Sequence, residues 1–203
     1  MPRAKKATES GSLRQNLEIV GRVKGEKLES LKRALAAVDF KQRGDGSGFD
    51  AEYVTDLERV FAKRYRIPMD AIYKQSDFAL FVNSAGEEFA SFHASLSELV
   101  MQAQLEPASS REGFCFSGYY AALHDDQHIG YLGQLMLIGQ NAGHRLYSEP
   151  SKTFITPVPG DIVVLNTRER HALVPKRGLT VKECQAEPLL FFALPFYGKS
   201  ESA

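Results

Sequence analysis

The chain has 203 residues, of which 43% are hydrophobic and 25% are charged, so it can fill one sizeable core but not two large ones. Its 25 basic and 25 acidic residues cancel, which excludes the strong basic excess typical of general nucleic-acid-binding proteins. Two cysteines, Cys115 and Cys184, are too few for a disulfide scaffold, so we expect a reduced, cytoplasmic protein.

The first half of the chain predicts helices. Apolar residues recur at steps of three and four over Gly25–Val38, which is a helical pattern. After the glycine-rich loop Gly44–Gly48, a second helix is predicted over roughly Asp50–Tyr65. A strand over Asp77–Asn83 and a third helix with apolar positions from Phe89 to Val100 follow. Each helix has one apolar face, so we expect it to pack against a sheet.

From Gly113 onward the pattern is that of strands. Apolar residues alternate with others at period two, and Gly, Pro, Asn and Asp separate the short runs, as in a sandwich or barrel. One strand begins at Phe114 and continues in the same register to His124. The later predicted strands are Tyr131–Ile138, Phe154–Pro157, Asp161–Leu165, His171–Val174, Leu179–Glu183 and Leu189–Phe196.

The change of period divides the chain into regions. Residues 1–12 and 198–203 are poor in apolar residues and predict disordered tails. Residues 13–112 form a helical or mixed support region, and residues 113–197 form a β core. Helices first and strands afterwards predict an α+β domain.

Polar residues at the end of the first core strand are the candidate site. Continuing the alternation from Tyr120, His124 and Asp126 fall on one face and can aim an imidazole and a carboxylate at one point. His171, on a later strand, offers a third ligand. Two histidines and one carboxylate form the facial triad of non-haem Fe(II) oxygenases, which leaves positions open for oxygen and substrate. Asp125 could replace Asp126 only if a bulge shifted the register.

The same residues also allow an interpretation without metal. His124 and Asp126 would then be polar residues at a strand end, and His171 a sheet histidine with satisfied hydrogen bonds. The remaining histidines are interpreted as loop, substrate-contact, structural or exposed residues: His93, His128 and His144.

This pattern resembles the Fe(II)/2-oxoglutarate-dependent dioxygenase superfamily. The resemblance consists of His124-x-Asp126, the strands that follow, Pro159-Gly160-Asp161 and His171, and it covers roughly Phe114–Phe196. It implies a double-stranded β-helix (jelly-roll) core flanked by N-terminal helices. It also implies that the two histidines and Asp126 bind iron, and that 2-oxoglutarate is oxidised to succinate and carbon dioxide while an unknown substrate is hydroxylated or demethylated.

The resemblance further requires a cation for the distal carboxylate of 2-oxoglutarate. The family often places it on the strand after the distal histidine, where we favour Lys182, with Arg177 in the adjoining turn as second choice. Some branches use an earlier strand, where Arg145 qualifies, and Tyr120 could hydrogen-bond a cosubstrate carboxylate. The chain has no Gly-x-Arg-x-Ser/Thr pattern to fix the assignment, and each cation could equally be a solvated charge.

Two alternative interpretations retain the predicted barrel fold but assign it another function. One is a non-catalytic jelly-roll binding or adaptor module, and the other is a cupin-like metal enzyme of another reaction type, although the His-x-His pair of cupins is absent.

We expect a small molecule or a protein side chain as substrate; nothing indicates a nucleic acid, although a local basic groove would be compatible with one. The longest apolar runs are far shorter than the roughly 20 residues of a membrane-spanning helix, so no membrane partner is expected. The sequence leaves the oligomeric state open.

Overall fold

The computed structural model describes residues 13, 16–38, 40, 63–64, 77–79, 87–109, 113–127 and 130–198. The helices in these residues are Gly25–Ala36 (α1), Glu87–Gln102 (α2) and Val181–Ala186 (α3). The strands are Leu17–Arg22 (β1), Asp77–Ala79 (β2), Glu106–Pro107 (β3), Phe114–Gly118 (β4), Ala121–His124 (β5), Gly133–Gln140 (β6), Arg145–Ser148 (β7), Thr153–Ile155 (β8), Asp161–Leu165 (β9), His171–Val174 (β10) and Leu189–Tyr197 (β11). The predicted tail 1–12, residues 199–203 and most of the predicted helix Asp50–Tyr65 lie outside the described residues.

The strands form two antiparallel sheets. The major sheet has the order β1-β9-β6-β11-β4-β2, with β3 paired to β11, and the minor sheet has the order β5-β10-β7-β8. From β4 to β11 the chain changes sheet at every connection except the one between β7 and β8. This winding is the predicted double-stranded β-helix, and the predicted fold class is confirmed.

Apolar side chains fill the space between the two sheets, and a second set of apolar side chains covers the outer face of the major sheet. Between the sheets, Phe116 and Phe191 of the major sheet stack at 4.8 Å and pack with Leu173 of the minor sheet. On the outer face, Leu35 of α1 and Phe92 of α2 join the cluster that covers the major sheet. Helices α1 and α2 therefore lie against a sheet, as their sequence pattern predicts. In the part of the chain that the structure describes, no helix has the length and apolarity needed to cross a membrane.

Helix α3 stands where the sequence predicts the strand Leu179–Glu183, and that prediction is wrong. Thr180 is the N-cap residue: its side chain accepts a hydrogen bond from the Glu183 backbone N–H, and the Glu183 carboxylate accepts one from the Thr180 N–H at 2.7 Å. This capping box satisfies two backbone donors that a helix start leaves open. The helix packs its Cys184 against the outer face of the minor sheet, in a cluster with Tyr147 and Val174.

The first core strand is also corrected. The sequence predicts one strand from Phe114 to His124, but β4 belongs to the major sheet and β5 to the minor sheet, and the chain crosses between them at Tyr119 and Tyr120. An uninterrupted apolar alternation gives no sign of such a crossing. As a result, Tyr120 packs in the cluster outside the minor sheet, away from the face that Phe114 lines.

The turn Pro159–Asp161, which helped to suggest the family, has a structural role. Gly160 has a φ of +94°, and a Cβ there would lie 2.4 Å from the carbonyl oxygen of Val23, so a side chain would clash. The Asp161 carboxylate accepts a hydrogen bond from Arg22 Nε at 2.5 Å. This turn therefore fixes β1, from the predicted support region, onto β9 of the core.

Candidate metal centre

His124 and His171 are brought together by strand pairing. His124 is the last residue of β5, His171 is the first residue of β10, and the two are Cα partners in the antiparallel pair. Partners in such a pair project to the same face, and their ring centroids lie 4.4 Å apart. That face is the interior one, because Leu173, two residues after His171, packs between the sheets.

A β-bulge turns His124 toward the interior. The register between β10 and β5 shifts, so that Leu173 pairs with Ala121 while His171 pairs with His124. Ala121 faces the space between the sheets and Leu123 the outer cluster, and the extra residue between them places His124 inward again. Bulges are common beside active sites, where they re-aim a side chain.

Asp126 completes a group of three converging side chains. Its Oδ1 lies 3.7 Å from His124 Nε2, and its Oδ2 lies 3.7 Å from His171 Nε2. One donor atom from each residue lies within 4.8 Å of the other two. Three facial donors bonded at about 2.1 Å to one ion are all about 3.0 Å apart, so each carboxylate–imidazole separation would shorten by about 0.7 Å when the group closes on a single ion.

The donor set fits an open catalytic metal site better than a closed structural one. Two imidazole nitrogens and one carboxylate oxygen suit Fe(II), and three protein ligands leave coordination positions free. The side chain of His171 is only 9% exposed, whereas those of His124 and Asp126 are 27% and 22% exposed. The group is therefore closed on the inner side by His171 and open toward solvent on the outer side.

His171 is held in the form that binds metal. Its Nδ1 lies 2.8 Å from the carbonyl oxygen of Glu169, so Nδ1–H donates there and Nε2 keeps its lone pair toward Asp126. Burial, followed by the nearby His124, lowers the pKa of His171 to about 4, against the weaker opposite effects of the Glu169 hydrogen bond and of Asp126 and Asp125. The imidazole is consequently neutral at pH 7 and does not need to lose a proton to bind a cation.

Asp126, and not its neighbour Asp125, joins the group. The Asp126 N–H donates to the carbonyl oxygen of Thr167 at 2.7 Å, which ties it to the loop before His171. The Asp125 carboxylate instead accepts from the Gln127 N–H at 3.4 Å, as in a local turn. The bulge in β5 lies before His124 and leaves the spacing from His124 to Asp126 unchanged.

The predicted cosubstrate residues are not brought to this group. Lys182 is exposed on α3, on the far side of the minor sheet, and Arg177 is exposed in the turn after β10. Arg145 pairs with Val174, at the opposite end of β10 from His171. Tyr120 is buried in the cluster outside the minor sheet.

Arg145 has a different environment from the one predicted. Its guanidinium carbon lies 4.8 Å from the centre of the Phe154 ring, which is a cation–π contact. Burial and then the charge of Arg177 lower its pKa. Among the described residues no Lys or Arg is fully buried. The half-buried Arg145 lies with Phe154 on the outer side of the minor sheet, so this part of the chain offers no fully buried cation to a dicarboxylate between the sheets.

The other histidines have separate roles. His144 is fully buried; its Nδ1 accepts from the Lys176 N–H at 3.1 Å and its Nε2 lies 3.0 Å from the Glu187 carbonyl oxygen, so it is structural. His93 lies on α2, with Nδ1 3.3 Å from Ser97 Oγ. His128 lies outside the described residues.

One polar residue near the group was missed by the sequence analysis. Ser148 is the partner of His171 on β7, at the other side of β10 from His124, and is only 1% exposed. Among the described residues its hydroxyl has no hydrogen-bond partner. The sequence would indicate the position of Ser148 beside His171 only if strand β7 and its pairing register with β10 were recognised first.

Comparison with known proteins supports the fold but not a close relationship. No family model matches the sequence, and no curated protein matches it. The structure of AviO1 from Streptomyces viridochromogenes Tue57 is 11% identical, covers 93% of both chains and has a TM-score of 0.53. A nickel complex of the non-haem monooxygenase ThoJ is 13% identical, covers 93% of this chain and 76% of its own, and has a TM-score of 0.52. Likeness at such low identity shows a shared fold alone.

Proposed function

We propose that this protein is a non-haem Fe(II)- and 2-oxoglutarate-dependent oxygenase that hydroxylates or demethylates a small molecule or a protein side chain. The observation that carries the proposal is the convergence of His124, Asp126 and His171, with 3.7 Å between the carboxylate and each imidazole. The shared fold with a non-haem monooxygenase in a nickel complex is compatible with a metal in this group. Iron held by these three residues would supply oxygen activation, and bound 2-oxoglutarate would supply two electrons on its oxidation to succinate and carbon dioxide.

The chain's own residues have three tasks in this proposal. His171 closes the inner side and keeps a neutral Nε2 directed at the metal position, through its hydrogen bond to Glu169. Asp126 supplies the negative charge that favours a divalent cation. The greater exposure of His124 and Asp126 leaves the outer side accessible to oxygen and to an organic substrate.

A second candidate is an Fe(II) oxygenase that uses the same three ligands without 2-oxoglutarate. It is favoured by the apolar interior beyond the group, where Leu146, Leu189 and Phe191 pack. A carboxylate buried there without a cation would cost several kcal/mol (~2–7 for even an uncharged polar group). In this candidate, the substrate or an external reductant supplies the electrons.

One experiment separates these functions. The full chain is loaded anaerobically with Fe(II), 2-oxoglutarate is added, and succinate is measured after exposure to oxygen, with the His171→Gln variant as control. Succinate from the wild type alone supports 2-oxoglutarate dependence. Bound iron without succinate would favour the second candidate, and a wild type that binds no iron would overturn both and leave a binding or adaptor module.

The proposed compartment is the cytoplasm. Cys115 and Cys184 are free thiols buried in two different clusters, so they are not placed to pair with each other. Fractionation of cells that express the full chain tests this proposal, because recovery in a secreted fraction would contradict it.

A further inference from the structure

The loop between β9 and β10, residues 166–170, holds two of the three converging side chains through its backbone. The carbonyl oxygen of Thr167 accepts from the Asp126 N–H at 2.7 Å, and that of Glu169 is 2.8 Å from His171 Nδ1. The position of this loop relative to the segment that carries Asp126 therefore sets the distance between carboxylate and imidazole.

Arg168 joins this loop to the other segment. Its Nε donates to the Tyr131 carbonyl oxygen at 3.1 Å, and its Nη2 lies 3.5 Å from the Gly130 carbonyl oxygen. A second side chain also joins the loop and the segment, because Gln127 Nε2 donates to the Arg168 carbonyl oxygen at 3.0 Å. The Arg168 backbone is itself fixed, because its N–H donates to Asn166 Oδ1 at 3.0 Å.

We propose that Arg168 is a positioning residue that raises the affinity of the His124–Asp126–His171 group for its metal by fixing the Asp126 segment against the loop before His171. This inference rests on the proposed function, because it requires a metal in the group. Arg168 does not contact the metal position in this account. It acts through the backbone carbonyls of Gly130 and Tyr131, which follow Asp126 in the chain.

The positive charge of Arg168 allows its positioning effect on metal affinity to be distinguished from its electrostatic effect. A positive charge near a cation site weakens cation binding by repulsion, so removing it should strengthen binding if charge were its only contribution. Loss of a hydrogen-bond partner of a metal ligand weakens metal binding by roughly 10- to 100-fold, and loss of the Arg168 contact, one step further from the ligands, should weaken it by the lower end of that range. The two effects have opposite signs.

Arg170 is the matched control. It is an exposed arginine in the same loop, and its side chain has no hydrogen bond to the described part of the chain. Arg170→Met removes the same charge as Arg168→Met without removing a bond between the two segments.

The experiment titrates the full chain with Co(II) and follows the visible absorption of the bound ion, with the unfolding midpoint of the metal-free protein measured in parallel. We expect Arg168→Met to weaken Co(II) binding about ten-fold, Arg168→Lys to recover part of the loss, and Arg170→Met to bind as tightly as the wild type or more tightly. Unchanged or tighter binding by Arg168→Met would overturn the inference, and leave the proposed function intact. A wild type that binds no Co(II) would overturn both.

A second variant covers the case in which Arg168→Met lowers the metal-free unfolding midpoint. Gln127→Ala removes the bond from the Gln127 side chain to the Arg168 carbonyl oxygen and leaves the Arg168 side chain in place. It should also weaken Co(II) binding, by a smaller factor and at an unchanged midpoint. Wild-type affinity in Gln127→Ala would then overturn the inference.

Discussion

His124 and His171 are direct partners across two antiparallel strands, with their ring centroids 4.4 Å apart. The sheet therefore fixes the separation of two imidazoles that are far apart in the sequence. Asp126 reaches both rings from the loop that follows β5. Preorganisation of this kind reduces the ordering that metal binding would otherwise require.

Metal binding should stabilise the protein through these three residues. A ligand that binds only the folded state adds about 2.7 kcal/mol to the free energy of unfolding at a concentration 100 times its dissociation constant. We expect Co(II) or anaerobic Fe(II) to raise the melting temperature of the wild type and of His93→Gln, but not that of His124→Gln. Thermal unfolding measures this, and an equal rise in His124→Gln would place the metal elsewhere.

The stability of the metal-free protein should fall on acidification. Because the pKa of His171 is about 4 in the folded chain and near 6.5 otherwise, the unfolded state binds more protons between these values. The free energy of unfolding contributed by this group is therefore fully present above pH 6.5 and decreases as the pH is lowered toward 4. Burial also lowers the pKa of His144, which acts in the same direction.

Urea unfolding at pH 7 and pH 5, with a chelator present, measures this dependence. His171→Gln should lose its share of the slope and keep the part due to His144. The same pH dependence in His171→Gln and wild type would show that His171 does not titrate as described.

The exposed cations Lys182 and Arg177 should not serve a cosubstrate. Lys182 lies on α3 and Arg177 in the turn after β10, so Lys182→Ala and Arg177→Ala should change the KM for 2-oxoglutarate in succinate formation by less than about two-fold. A carboxylate bound by either side chain would lose a charge-assisted hydrogen bond, and a KM raised by ten-fold or more in either variant would contradict the structure.

Helix α3 should depend on its capping box. Thr180→Ala removes the side-chain acceptor at the helix start and should lower the free energy of unfolding by about 1 kcal/mol, while Co(II) affinity stays unchanged because α3 lies outside the minor sheet. Thr156→Ala, at an exposed position without a hydrogen bond to the described residues, is the control. Equal stability of both variants in urea unfolding would contradict the role of the cap.

The sequence predicted the elements whose pattern is local. Asp161–Leu165 and His171–Val174 have the predicted bounds, because each is a short apolar run between turn residues. Helix α3 was misread as a strand, since Leu179 and Val181 alternate, while the Thr180–Glu183 capping box carried the correct signal.

The sequence pattern predicts the site from one uninterrupted strand register that begins at Phe114, and the structure departs from that register at two points. The chain crosses between sheets at Tyr119 and Tyr120, and a bulge in β5 then reverses the alternation before His124. The crossing and the bulge each reverse the face to which the following side chains point, so their effects cancel at His124. His124 and Asp126 therefore converge with His171, although Tyr120 packs on the other face of the minor sheet. Neither the crossing nor the bulge could be read from alternation, because both depend on pairing with distant strands.

In the proposed function, His124, Asp126 and His171 hold one iron ion with part of its coordination open. The most direct test is electron paramagnetic resonance of the anaerobic Fe(II)-loaded chain with nitric oxide, which gives a high-spin signal only when bound iron has an accessible position. We predict this signal at one iron per chain in the wild type and in Asp125→Asn, and its loss in Asp126→Ala and His171→Gln. Absence of the signal from the wild type, or its persistence at full intensity in Asp126→Ala and His171→Gln, would contradict the account.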